Sequence, residues 1–143
     1  MDLDFLTNER ELDHIATRQA VKSFFKKQYP RLQALASMDL QGVSYNNTRV
    51  QTSGSNTAED RAMRVIQAKD YLNLINQCIN SLDEIDQKIF ISLAIKHMSG
   101  FQAQELTGYG DSRLYDRYWQ ACEQIAGMLA LISDIDLRRY ERN

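Results

Sequence analysis

The stretch that most constrains the fold runs from Phe101 to Tyr115. It reads as a short helix, a turn bounded by Gly108 and Gly110, and the start of a longer helix. Glycine permits the positive φ of a tight turn. Asp111 or Ser112 then supplies an N-cap oxygen for the second helix. A helix, a short turn and another helix is the layout of a DNA-reading helix-turn-helix, and equally of any helical hairpin.

The flanking sequence predicts an all-α chain. One Pro and six Gly in 143 residues leave long stretches free to be helical, and neither strand alternation nor an internal repeat stands out. A helix begins near Asp13. Val21, Phe24 and Phe25 share one face with Gln28, and Arg18, Lys22 and Lys26 form a basic stripe on another. Pro30 is expected to stop or bend this helix, and Leu32, Leu35 and Ala36 make a second short amphipathic piece. From Asp39 to Asn56 Gly, Ser and Asn dominate and periodicity disappears, as in a flexible linker. The expected organisation is an N-terminal helical unit (1–38), the linker (39–56) and a C-terminal helical domain (57–143) with a helix-turn-helix at about 99–131.

Helical order resumes at Asn56 or Thr57, where Asn56 with Glu59, or Thr57 with Asp60, fits a capping box. Ala62, Val65, Ile66, Tyr71 or Leu72, Ile75, Cys78 and Ile79 supply a buried stripe. The run Asn80 to Asp83 breaks it, and Asp83 caps a helix on which Ile85, Ile89, Phe90, Leu93 and His97 recur. The last helix carries Leu114, Tyr118, Ala121, Cys122, Ile125 and Leu129 along one face and is expected to end near Ser133. The tail from Asp134 to Asn143 reads as a frayed continuation.

Composition narrows the function. Hydrophobic content of 43% and charged content of 25% are those of a folded soluble domain. Cys78 and Cys122 lie far apart inside helical patterns, which suits buried thiols in a reducing cytosol. No basic leader and no long apolar run is present, so neither a signal peptide nor a membrane partner is expected, and the expected location is cytoplasmic. A catalytic reading fails: His14 and His97 are isolated, and His97 on its apolar face reads as a hydrogen-bonded core histidine. Gly108-Tyr109-Gly110 lacks the further glycine and the preceding strand of a dinucleotide site. The pairs Glu59-Asp60 and Asp83-Glu84 sit at helix starts, where carboxylates favour the dipole. The expectation is a non-enzymatic chain with no cofactor and no metal.

A net charge of −2 gives no global basic field, so DNA binding requires a local patch or an oligomer that concentrates one. If residues 111–119 enter a major groove, Ser112, Arg113, Asp116 and Arg117 face away from Leu114, Tyr118 and Ala121, with Tyr115 and Gln120 flanking. Arg113 or Arg117 reads guanine through its forked donors or holds phosphate, and Tyr115 contacts phosphate or sugar. Asp111 and Asp116 oppose this unless they pair with Arg or accept from cytosine. A solvated face with pairs such as Arg113–Asp116 accounts for the same residues. The stripe Arg18, Lys22, Lys26, with Lys27 and Arg31, is the strongest positive feature. It suits DNA backbone or an acidic partner, and a solvated helix face is the commoner use of such a pattern. Tyr115, Tyr118 and Trp119 suit helix packing first and a partner surface second.

Four stretches together resemble the autolysin regulatory protein (ArpU) family of phage-type transcriptional regulators. They are Val21-Lys22-Ser23-Phe24-Phe25 running into Tyr29 to Ala36; the polar linker ending at Asn56-Thr57-Ala58-Glu59-Asp60; Ile75 to Leu82 leading to Lys88-Ile89-Phe90; and Glu105-Leu106 through Gly108-Tyr109 to Leu114-Tyr115 and Ala121. Their order and spacing, from about residue 13 to 130, carry the resemblance. It implies a regulator of phage or prophage late genes such as packaging and lysis, acting in a bacterial host cell. It also implies that Leu82 to about Leu131 is similar to the promoter-reading fourth region of sigma factors, with double-stranded promoter DNA and bacterial RNA polymerase as partners. Thr107, Gly110 and Arg117 depart from the family pattern around the turn.

The expected function is therefore sequence-specific, non-enzymatic DNA binding in late transcription. One alternative is a helical protein–protein adaptor without specific DNA binding, which the low net charge and acidic flank favour. Another is the DNA-recognising small component of a phage packaging machine, which would form a multi-subunit ring. A homo-oligomer is compatible with either DNA-binding reading.

Overall fold

A computed structural model describes residues 11–38 and 57–141, and the proposed linker at 39–56 lies outside them. The described residues are helical with no named strand, an all-α fold. The first helical path comprises α1 (His14–Ser23), a π-helical segment (Phe24–Gln28) and α2 (Tyr29–Ala36) without interruption. Asp13 caps α1, its carboxylate accepting from the Ala16 N–H at 3.0 Å.

Pro30 does not stop this helix. It sits in the first turn of α2, directly after the π segment. The Tyr29 N–H reaches back to the Phe24 carbonyl, five residues earlier. That wider turn accommodates a residue that has no N–H and whose ring crowds the preceding carbonyl. It also keeps Phe24, Phe25 and Tyr29 all on the buried side, while Gln28 is exposed rather than on their face.

Thr57 begins α3 (Ala58–Asn80), its hydroxyl accepting from the Asp60 N–H at 3.2 Å. Val65, Ala68, Ile75, Cys78 and Ile79 form its buried face, and Ile66 is exposed on the opposite side. After the break at Ser81 to Asp83 comes α4 (Glu84–Phe90), followed by a second π segment (Ile91–Ile95). Asp83 occupies the N-cap position of α4 but makes no side-chain cap hydrogen bond. The helical path ends at Ile95 with Lys96 as its C-cap, so the four- and three-residue spacing that predicts a buried His97 no longer applies there. His97 is exposed, with φ 54°. The last elements are α5 (Gly100–Thr107) and α6 (Asp111–Ile132).

The segment after α6 is not a frayed helix. Ser133 is extended, and its hydroxyl donates to the Leu129 carbonyl while accepting the Ile135 N–H. This side-chain competition for backbone groups closes the helix. The tail then meets the start of the chain. Leu12 and Tyr140 form an antiparallel bridge, and the Asp13 N–H donates to the Arg139 carbonyl at 2.8 Å. Buried Thr17 accepts the Arg139 N–H at 2.9 Å and faces the Arg139 carbonyl at 3.3 Å.

One core unites sequence on both sides of residues 39–56. Phe25 meets Phe90 edge-to-face at 5.0 Å between ring centroids, and Phe90 lies 6.2 Å from Tyr118. Val21, Ile75, Ile89, Leu114, Ile125 and Leu129 are buried in the same cluster. These contacts make α6 the central element, with α1 and α4 packed along it.

Candidate nucleic-acid interface

The helix–turn–helix segment is built from local rules. Ser99 starts α5 with a reciprocal capping box: its hydroxyl accepts the Gln102 N–H at 3.1 Å, and the Gln102 side chain accepts the Ser99 N–H at 3.0 Å. Gly108 ends the helix at φ 78°, the left-handed cap that glycine adopts without a steric penalty. Thr107 braces the turn by donating to the Ala103 carbonyl and accepting the Tyr109 N–H.

Gly110 corrects the expected cap. It is extended, not left-handed, and is itself the N-cap of α6, so neither Asp111 nor Ser112 fills that role. Asp111 opens the helix instead, and its carboxylate accepts from the Gln104 side chain at 3.2 Å. This bond ties the end of α5 to the start of α6.

The outward face of α6 presents Ser112, Arg113, Asp116 and Gln120, all exposed, opposite buried Leu114, Tyr118 and Ala121. The other two predicted contacts are engaged within the fold. Arg117 donates to Asp86 of α4 at 2.8 Å, and the Asp86 side chain is only 8% exposed. That bond, with the attraction behind it, raises the Arg117 pKa above its ordinary value. Tyr115 is half-buried. A Cβ on Gly100 would lie 2.7 Å from its hydroxyl, so the phenol is packed against the first residue of α5.

The opposite flank of that face is pinned to α1. Arg18 donates to Glu123 at 3.0 Å, His14 also pairs with Glu123, and the Arg18 guanidinium lies 5.8 Å from the Trp119 ring centroid. Of the predicted basic stripe, Arg18 is therefore held in an ion pair. Lys22, Lys26 and Lys27 are exposed. Glu123 takes both His14 and Arg18, and farther along the same helical path Phe25 stacks on Phe90, which lies beside Tyr118. Arg31 is exposed as well. It borders a groove of about 310 Å³ lined mainly by Phe24, Leu32, Leu35, Tyr71 and Ile135.

Two further residues shape this site, and neither is singled out by the sequence pattern of a recognition helix. Tyr109 lies under Arg113 at 4.5 Å and Arg117 at 6.0 Å, measured to the ring centroid. Its signal is present as the four-residue spacing of positions 109, 113 and 117. Asp86 has no sequence signal, because its partner lies 31 residues away.

Both cysteines are buried free thiols. Burial pushes the Cys122 thiol up to about 12 and raises the Tyr118 hydroxyl as well. Among the described residues no group of three His, Cys, Asp or Glu is placed to hold a metal ion, and no helix is long and apolar enough to cross a membrane. Comparison with known proteins returned no matching family model, no matching curated protein and no matching solved structure.

Proposed function

We propose that this chain is a sequence-specific, non-enzymatic DNA-binding regulator that presents the start of α6 to a major groove. One observation carries the reading. The exposed run Ser112, Arg113, Asp116 and Gln120 sits on a helix entered through a three-residue turn and braced on both flanks, by Asp86–Arg117 and by Arg18–Glu123. A reading helix must be held rigidly so that a few side chains meet base edges in register. The exposed Lys22 and Lys26 on the first helical path supply local positive charge, which the chain as a whole lacks. The resemblance to ArpU regulators adds the gene class, phage or prophage late genes, and bacterial RNA polymerase as a partner.

The test is fluorescence anisotropy of the full chain against duplexes tiled across the DNA flanking its own coding sequence, at two salt concentrations, with random DNA as control. One tile bound above the control, with affinity that falls as salt rises, is the expected result. Absence of any preference even at low salt refutes it.

A second reading has its own observation. Phe101 is 69% and Leu106 45% exposed on the outer side of α5. Apolar groups in such a position suit a protein partner. A defined protein complex that forms without salt-sensitive DNA binding would favour that adaptor role.

A further inference from the structure

The two arginines on the outward side of α6 are not equivalent. Arg117 is one-third exposed and spends its charge on the buried Asp86 carboxylate. Arg113 is exposed and makes no ion pair among the described residues. Its guanidinium rests on the face of Tyr109, 4.5 Å from the ring centroid. The carboxylates nearest in sequence do not claim it: Asp111 is engaged by Gln104, and Asp116 is exposed without an ion pair to Arg113. Asp83 and Asp86 on α4 act on Arg117.

Tyr109 owes its place to the turn. Gly108 reverses the chain in the left-handed region and Gly110 continues it extended, so the residue between them precedes α6. From there its ring covers positions 113 and 117 of that helix. Asp86 engages the other guanidinium over this ring, Arg117, which leaves Arg113 exposed on the stack.

We propose that Tyr109 is the positioning residue for Arg113, and that Arg113 rather than Arg117 is the cation of α6 that meets DNA. The inference rests on the DNA-binding reading above. An arginine on a flexible stem loses rotamer freedom when it binds, and one already stacked on a ring loses less. The ring attracts the guanidinium face and leaves the in-plane N–H donors free for two acceptors. Two phosphate oxygens and the O6/N7 edge of guanine both offer that pair.

The experiment is a double-mutant cycle in the anisotropy assay, using the full chain and the tile that wild type prefers. Its members are Arg113→Ala, Tyr109→Leu and their combination, with Tyr109→Phe as the conservative variant and Arg117→Ala for comparison. Arg113→Ala is expected to weaken binding by about 5- to 150-fold. Tyr109→Leu should weaken it roughly 2- to 5-fold, the span of an exposed cation–π contact. Tyr109→Phe keeps the ring and should bind as wild type does. In the Arg113→Ala background, Tyr109→Leu should add nothing, because the group it positions is gone. A salt slope lower by about one in Arg113→Ala identifies a phosphate contact, and relaxed preference at a single base pair identifies guanine.

Arg113→Ala binding as tightly as wild type overturns the proposal. So does a Tyr109→Leu loss that persists in full without Arg113, or a larger loss in Arg117→Ala than in Arg113→Ala when circular dichroism shows both folded. If wild type prefers no tile, the DNA-binding reading itself fails, and that outcome is visible before any variant is compared.

Discussion

Phe25→Ala probes whether the two ends of the chain stand or fall together. Phe25 is 1% exposed and touches three rings: Phe24 at 5.2 Å, Tyr29 at 5.1 Å and Phe90 at 5.0 Å between centroids. Truncating a buried Phe costs about 3–5 kcal/mol, the larger values arising where surrounding groups cannot collapse into the space. Aromatic pairs contribute about 0.5–1.5 kcal/mol each beyond their burial, which places this site toward the upper end. Two of the neighbours sit on the same rigid helical path, and Phe90 is braced by Tyr118, so relaxation is limited. For a domain of this size such a loss lowers the melting temperature by roughly 10–20 °C. Thermal unfolding should be followed by far-ultraviolet circular dichroism and by fluorescence of Trp119, which lies on α6 beside Tyr118. Both signals should fall together at the lower temperature, although the substitution is on the first helical path. Two separate transitions, or a Trp119 midpoint within about 3 °C of wild type, would refute the shared core.

Three further outcomes are expected. Cys78 and Cys122 should resist a thiol reagent at pH 8 in the folded protein and react rapidly in denaturant, because burial raises both thiols; fast labelling of the native chain would contradict that burial. Gly108→Ala should cost about 1–2 kcal/mol in urea unfolding, wholly from its left-handed backbone, since nothing lies within 4 Å of the added Cβ. Hydrogen bonding from Arg138 holds the Asp136 carboxyl below its ordinary range. The folded pKa is thus the lower one, so its stabilisation is complete above the unfolded carboxylate's pKa and fades as pH falls through the folded value. The group is half exposed, which limits the effect to under about 1 kcal/mol. Asp136→Asn should flatten that part of the stability profile measured by urea titration below pH 5, and an unchanged acid limb would show that the pair contributes nothing there.

Local chemistry decided much of the outline from the sequence alone. An all-α fold follows from recurring apolar positions and a single proline. Thr57 caps its helix, Gly108 takes the left-handed turn, and the last helix ends at Ile132 beside Ser133. Each depends on residues within one or two turns, where propensity and capping operate directly.

Tertiary structure decided what lay beyond that range. Helical periodicity assumes 3.6 residues per turn, and a π segment breaks that phase before Pro30, while the helix that would bury His97 ends at Ile95 and leaves it exposed in the left-handed region. The tail is drawn from helix into pairing with the chain's start because Thr17 and Asp13 receive Arg139. At the candidate interface, the sequence placed Ser112, Arg113, Asp116, Arg117 and Gln120 on one helix but could not rank them. Only the fold brings Asp86 to Arg117, whereas the local turn at Gly108 sets Tyr109 beneath Arg113, four residues on. Helical spacing determines which side chains share a face, whereas the neighbour across that face decides which of them remains free.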